Sequence, residues 1–211
     1  MSKIQIFHND VPDGYTVFGD LAIDTEAMGL KVGRDRLCLV QISDASGKAC
    51  AVHFSDANYS AAINLKKILL DATPQKIMHF ARFDMRIIKE YLDVELSNVF
   101  CTHIASIVAR TYASNHSLKD LCKDLLNIQL NKYVTCSDWG APNLSSEQID
   151  YALGDILHLH KLKSILEKIL VREDRLGLVL SACKALAVRI DFDLCGWAEV
   201  DIFDHYRNAK K

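Results

Sequence analysis

From residue 15 to residue 54 the chain places apolar residues in short runs separated by turn formers, the pattern of strands with buried faces. Runs at residues 15–24, 36–43 and 49–54 are rich in β-branched and aromatic residues. The cluster Asp44-Ala-Ser-Gly47 between the second and third predicts a tight antiparallel connection. The period then lengthens, predicting a helix over 61–70, a short strand over 76–80, a helix over 84–92 and a strand over 99–102. Helical patterns fill the remainder. Strands first, then strand–helix alternation, then helices predict an α/β fold with a mixed sheet flanked by helices.

The helix starts of the second half are written in capping residues. Ser117-Leu-Lys-Asp120 opens a helix with Leu118, Leu121, Cys122 and Leu125 on its apolar side. Ser145-Ser-Glu-Gln148 is a capping box, in which the Ser and Gln side chains satisfy the first unpaired backbone donors. The helix it starts is expected to run to about Leu170 and to bury Ile149, Ala152, Ile156, Leu159 and Ile165. A last helix over 175–190 carries one stripe through Leu176, Val179, Leu180, Cys183, Leu186 and Ile190, with Leu178, Ala182 and Ala185 on a second face. A helix apolar on two sides needs cover on both, from a deeper core or from another subunit.

Composition narrows this picture. The 211 residues suit one domain over 1–211, with about 171–211 as a helical C-terminal extension. The formal charge of -2 disfavours a long basic groove for extended nucleic acid. The N-terminus MSKIQIFHND lacks the pattern of a signal peptide, no apolar run approaches a membrane span, and a soluble, cytoplasmic protein is expected. Seven cysteines with no C-x-x-C spacing read as reduced core thiols.

The chemistry lies in three places. Leu21-Ala-Ile-Asp24-Thr-Glu26 puts two carboxylates at i and i+2 of a strand, hence on one side of the sheet. Taken alone, this is an ordinary solvated strand end. His79-Phe-Ala-Arg-Phe-Asp84 sets an acid where a buried strand turns into a helix, a position that an N-cap also explains. Tyr151 and Asp155 lie four apart and share one face of the capped helix. Converged, Asp24, Glu26, Asp84 and Asp155 carry a charge that two divalent cations with hard oxygen ligands would balance. Two such ions stabilise the attacking and leaving oxygens of a phosphodiester displacement.

In this order and spacing, D-x-E, H-x-x-x-x-D and Y-x-x-x-D resemble the DEDDy 3′–5′ exonucleases of the ribonuclease D type, with supporting context in Leu37-Cys-Leu-Val-Gln41 and Ser137-Asp-Trp-Gly140. The short length, Leu30 after the first motif and the ending Gly196-Trp-Ala-Glu-Val-Asp-Ile-Phe are most similar to nano-RNase C. The resemblance implies a ribonuclease H-like fold, two Mg²⁺ or Mn²⁺ ions per site, and hydrolysis of short RNA, especially dinucleotides, to nucleoside 5′-monophosphates. It also implies a homo-oligomer, an octamer by family resemblance.

By the same resemblance Asp24, Glu26 and Asp155 hold the ion that activates water, Asp24 bridges to the second, and Asp84 supports that second ion. Tyr151, with an ordinary pKa near ~10, would orient the water and be available to accept its proton. Met28 and Leu30 are expected to contact the bases, and His79 to contact substrate. Arg207, beside Lys210 and Lys211 at the chain end, is the candidate cation for the 5′ phosphate. Cys101-Thr102 stands where such enzymes often have Asp-Thr, a change expected to affect packing.

Rival readings remain open. A proofreading-type DNA exonuclease shares the chemistry and differs in substrate length and sugar. A non-catalytic RNA- or nucleotide-binding domain would be expected to have lost an acid or the tyrosine, yet all five are present. A zinc hydrolase built on His79, His103, His158 and His160 lacks any H-E-x-x-H spacing.

Overall fold

A computed structural model describes residues 5–130 and 137–204. Its centre is a six-stranded mixed sheet in the order β1-β4-β3-β2-β5-β6. The strands are β1 (Gln5–His8), β2 (Leu21–Ala27), β3 (Leu37–Asp44), β4 (Ala49–His53), β5 (Lys76–Met78) and β6 (Val99–Cys101). β2, β3 and β4 form the antiparallel meander that the turn at residues 44–47 predicts. Every residue of β3 is buried, as befits a central strand with both faces covered.

Two boundaries differ from the sequence reading. The first predicted strand starts at Leu21, not residue 15, because Gly19 sits in the left-handed region at φ 66° and breaks the extended run. A Cβ there would also meet the Ala45 Cβ at 2.9 Å. Tyr15 instead packs edge-on against Phe7 with ring centroids 5.6 Å apart. β1, which the pattern did not reveal, is a four-residue edge strand parallel to β4. With one side exposed and so few residues, it carries little periodicity.

Helices cover the sheet: α1 (Ile63–Leu70), α2 (Ala81–Leu92), α3 (Thr102–Ala109), α4 (Leu118–Leu126), α5 (Ser146–Leu157), α6 (Leu159–Arg172) and α7 (Leu176–Phe192). Ser117 and the Ser145–Gln148 capping box open α4 and α5 as predicted. The expected single helix from Ser145 to Leu170 is two, interrupted at His158 (φ −102°, ψ −10°). The break lets α5 lie over β2 and β3 while α6 packs against α3 and β5. It also resets the buried stripe to Leu159, Leu162, Leu166 and Leu170, leaving Ile165 half-buried.

α7 packs on α2, α3 and β6 through Val179, Cys183, Leu186 and Ile190. Leu178 and Val188, on its other side, are exposed, so nothing among the described residues covers that face. Beyond α7, Asp193 is a buried acid held by Arg82 at 2.6 Å and Arg189 at 3.0 Å, which ties this segment to the first turn of α2. Cys101 is buried and its backbone N–H donates to Cys183 Sγ at 3.3 Å, the packing role expected of it. No helix among the described residues is long and apolar enough to cross a membrane.

Candidate active site

The site is built at the end of β2. Asp24 and Glu26 alternate with Thr25, so the two acids share one face and Thr25 points to the other. α5 lies over β2 and delivers Asp155. Asp24, Glu26 and Asp155 then offer carboxylate oxygens that all lie within 4.8 Å of one another. The sequence separation closed here exceeds a hundred residues, and the convergence is the work of the sheet and α5 together.

Asp84 enters differently from its sequence reading. It is not an N-cap: α2 begins at Ala81, and the cap position is Phe80, held in the left-handed region at φ 60°. Asp84 lies in the first turn, is buried, and accepts from Thr25 Oγ1 at 2.6 Å. Thr25 is the residue sequence reasoning missed. The available signal was its place between two same-facing acids, which aims it at whatever covers the opposite face.

The electrostatics of the cluster are those of like charges brought together out of water. Burial first, then the neighbouring Asp84, Glu26 and Asp155 carboxylates, push Asp24 well above the usual carboxylate range. Burial, Asp155 and Asp84 push Glu26 up to about 9. Asp84 rises to about 7 through burial, against the hydrogen bond from Thr25. A set made wholly of carboxylate oxygens suits a hard divalent cation such as Mg²⁺ or Mn²⁺, whose charge would relieve this repulsion.

Tyr151 lies one turn before Asp155 and hydrogen-bonds to its carboxylate. Burial, reinforced by Asp155, Glu26 and Asp24, raises its pKa far above the ordinary value of a phenol, correcting the expectation of an unperturbed tyrosine. The phenol therefore keeps its proton at neutral pH. Trp139 is 1% exposed and backs the Tyr151 ring with centroids 6.1 Å apart. Its loop is fastened by Gln148, whose Nε2 donates to Ser137 Oγ at 2.6 Å, and by His53 Nε2 at 3.1 Å from the Trp139 carbonyl. The capping-box glutamine thus also anchors the loop behind the tyrosine.

Met28 and Leu30 follow β2 on a loop and are 47% and 81% exposed, an unusual presentation for large apolar side chains. The turn is tight: a Cβ on Gly29 would stand 2.5 Å from Asp35 Oδ2. His79 is half-buried, with Nδ1 2.9 Å from Thr102 Oγ1 and its ring edge-on to His103. Thr102 spends its own proton on the Met78 carbonyl, so His79 Nδ1 is the donor in that pair. His160 Nε2 lies 3.0 Å from the Ser43 carbonyl. No histidine joins the ligand cluster found among the described residues. Arg207 and the segment 132–136 lie outside the described residues.

Comparison with known proteins agrees with this geometry. A 3′–5′ exonuclease family model matches residues 8–171. Ribonuclease D of Gluconacetobacter diazotrophicus is 29% identical over 167 residues, covering 79% of this chain and 42% of its own. The chain thus spans about two fifths of the length of the curated relatives it matches. The structure of Brucella melitensis NrnC superposes with a TM-score of 0.90 at 43% identity, covering 96% of this chain and 99% of that one. That protein has also been solved with bound Mg²⁺ and bound to pGG.

Proposed function

Because the chain belongs to the 3′–5′ exonuclease family, we propose that it is a metal-dependent exoribonuclease that hydrolyses very short RNA, dinucleotides above all, to nucleoside 5′-monophosphates. The observation that carries this reading is the convergence of Asp24, Glu26 and Asp155 beside Tyr151, with Asp84 approaching through Thr25. Likeness along nearly the whole chain to a protein that binds pGG supports the substrate class. A net charge of -2 suits a substrate with one or two phosphates.

Asp24, Glu26 and Asp155 would hold one divalent cation, and Asp24 with Asp84 a second. Bound there, Mg²⁺ or Mn²⁺ supplies an activated water and neutralises charge at the leaving oxygen. The protein's own groups do the positioning. The protonated Tyr151 donates to Asp155, and its oxygen accepts a hydrogen bond from the attacking water, holding it toward the phosphorus. Trp139 keeps that ring from turning away. Tyr151→Phe should therefore lower kcat by about a hundredfold while leaving the Mg²⁺ dissociation constant at the parent value. A variant turning over at the parent rate would refute the tyrosine's role.

Leu30, exposed in the free protein beside the acids, is placed to insert between the two bases. Burying an aliphatic side chain contributes about 1.5–3 kcal/mol, so Leu30→Ala should raise KM for a dinucleotide about tenfold or more with kcat less affected. Steady-state kinetics separate the two constants, and an unchanged KM removes the wedge. Met28 and His79 as further substrate contacts, and Arg207 as partner of the 5′ phosphate, belong to the same proposal, the last on sequence alone. So do the single exonuclease domain over 1–211, the cytoplasmic location and the octamer, for which the uncovered face of α7 offers a contact surface.

The deciding experiment incubates the purified protein with 5′-labelled RNAs of two to seven nucleotides, and their DNA counterparts, with Mg²⁺ or Mn²⁺. Fastest conversion of the RNA dinucleotide to mononucleotides is the expected result. Preference for long DNA would indicate the proofreading type, and binding without hydrolysis a non-catalytic domain.

A further inference from the structure

Gln41 is the cross-strand partner of Asp24 in the β2–β3 register. Residues directly opposite on an antiparallel pair point to the same face, so the Gln41 carboxamide and the Asp24 carboxylate are neighbours. On its other flank Gln41 is paired with Ala51 of β4, which offers no polar group. Leu39 and Ala51 on this face pack against Trp139 and Ala152, closing the row from solvent. Gln41 is 0% exposed, yet neither its Nε2 nor its Oε1 has a hydrogen-bond partner among the described residues.

A buried carboxamide with both ends unpaired is rare, because an apolar side chain of the same volume would serve the core better. The residue makes sense if another state of the site supplies its partner, and the polar side chain opposite it is that of Asp24. We propose that Gln41 is a positioning residue for Asp24, its Nε2 donating to the Asp24 carboxylate when the acids hold a divalent cation. The donor would fix one lone pair of that carboxylate and leave the others for the ion, as outer partners do at metal sites generally. This inference rests on the metal-site reading above.

The test uses Gln41→Met, which keeps length and volume and removes the donor. Melting in EDTA and Mg²⁺ binding by calorimetry are measured beside the parent. In EDTA the variant should melt at or above the parent, since an unpaired amide is gone. Its Mg²⁺ dissociation constant should rise about tenfold or more. A merely structural glutamine would give the reverse, a lower melting temperature in EDTA with Mg²⁺ affinity within twofold of the parent, and that result overturns the proposal. Should Gln41→Met fail to fold, an experimental structure of the parent with Mg²⁺ decides. Nε2 within about 3.2 Å of an Asp24 carboxylate oxygen supports the assignment, and an amide still without that partner overturns it. A parent with no Mg²⁺ response overturns the metal site and this inference together, whereas a responding parent beside an unchanged variant overturns the inference alone.

Discussion

Asp24→Asn and Asp155→Asn should each reduce hydrolysis of a diribonucleotide by more than about a thousandfold. An outer partner of a metal typically contributes 10–100-fold, and these two acids stand inside the ligand cluster itself. Asparagine keeps the shape of the side chain, so the fold should survive. The metal-free variants should even melt higher than the parent, because each substitution removes one carboxylate from a group that repels itself. Initial rates on labelled substrate, with circular dichroism and thermal melts in EDTA, check both halves. A variant within tenfold of the parent rate would remove its acid from the active site. A large loss of rate with a lower melting temperature in EDTA would mean that the acid supports the fold instead.

The second large effect is an inverted pH dependence of stability. Ordinary paired carboxylates have depressed pKa values and destabilise a protein as pH falls. Here Glu26 is raised to about 9 and Asp84 to about 7, with Asp24 raised as well. Between the unfolded carboxylate range near ~4 and those folded values, the folded chain binds more protons than the unfolded one. Stability in EDTA must therefore fall as pH rises through that window, by at most about 1.4 kcal/mol per pH unit for each proton involved. A divalent cation binds the ionised acids, so the stabilisation it provides should grow across the same window.

For a chain of this size, 1 kcal/mol corresponds to about 2–4 °C in Tm. The Tm difference between Mg²⁺ and EDTA should widen by at least about 3 °C from pH 6 to pH 8. Asp84→Asn should raise Tm in EDTA and give up much of the Mg²⁺ gain. A difference that is flat with pH, or equal in Asp84→Asn and the parent, would show that the acids do not share one cavity.

The two effects have a common origin. The acids are costly to gather, and the fold gathers them with one hydroxyl, Thr25, and one aromatic support, Trp139, rather than with cationic partners. No lysine or arginine ion pair is formed with Asp24, Glu26, Asp84 or Asp155 among the described residues. A site neutralised in advance by arginine would lose its attraction for Mg²⁺.

The sequence by itself determined what depends on neighbours along the chain. Period-two alternation put Asp24 and Glu26 on one face of β2, and the i to i+4 spacing put Tyr151 and Asp155 on one face of α5. Ser145 and Gln148 set where that helix begins. Only the tertiary structure decided what depends on groups distant in sequence. It raised the Tyr151 pKa, because desolvation and three remote carboxylates act only once the sheet and α5 are assembled. It moved Asp84 from a presumed cap to the acceptor of Thr25, and it broke the long helix at His158 so that its halves could pack on different elements. It also left Gln41 buried opposite Asp24, a pairing that is a matter of strand register and is invisible to local pattern. Backbone periodicity is a property of adjacent residues, whereas charge, burial and unpaired polar groups belong to the space that distant segments enclose.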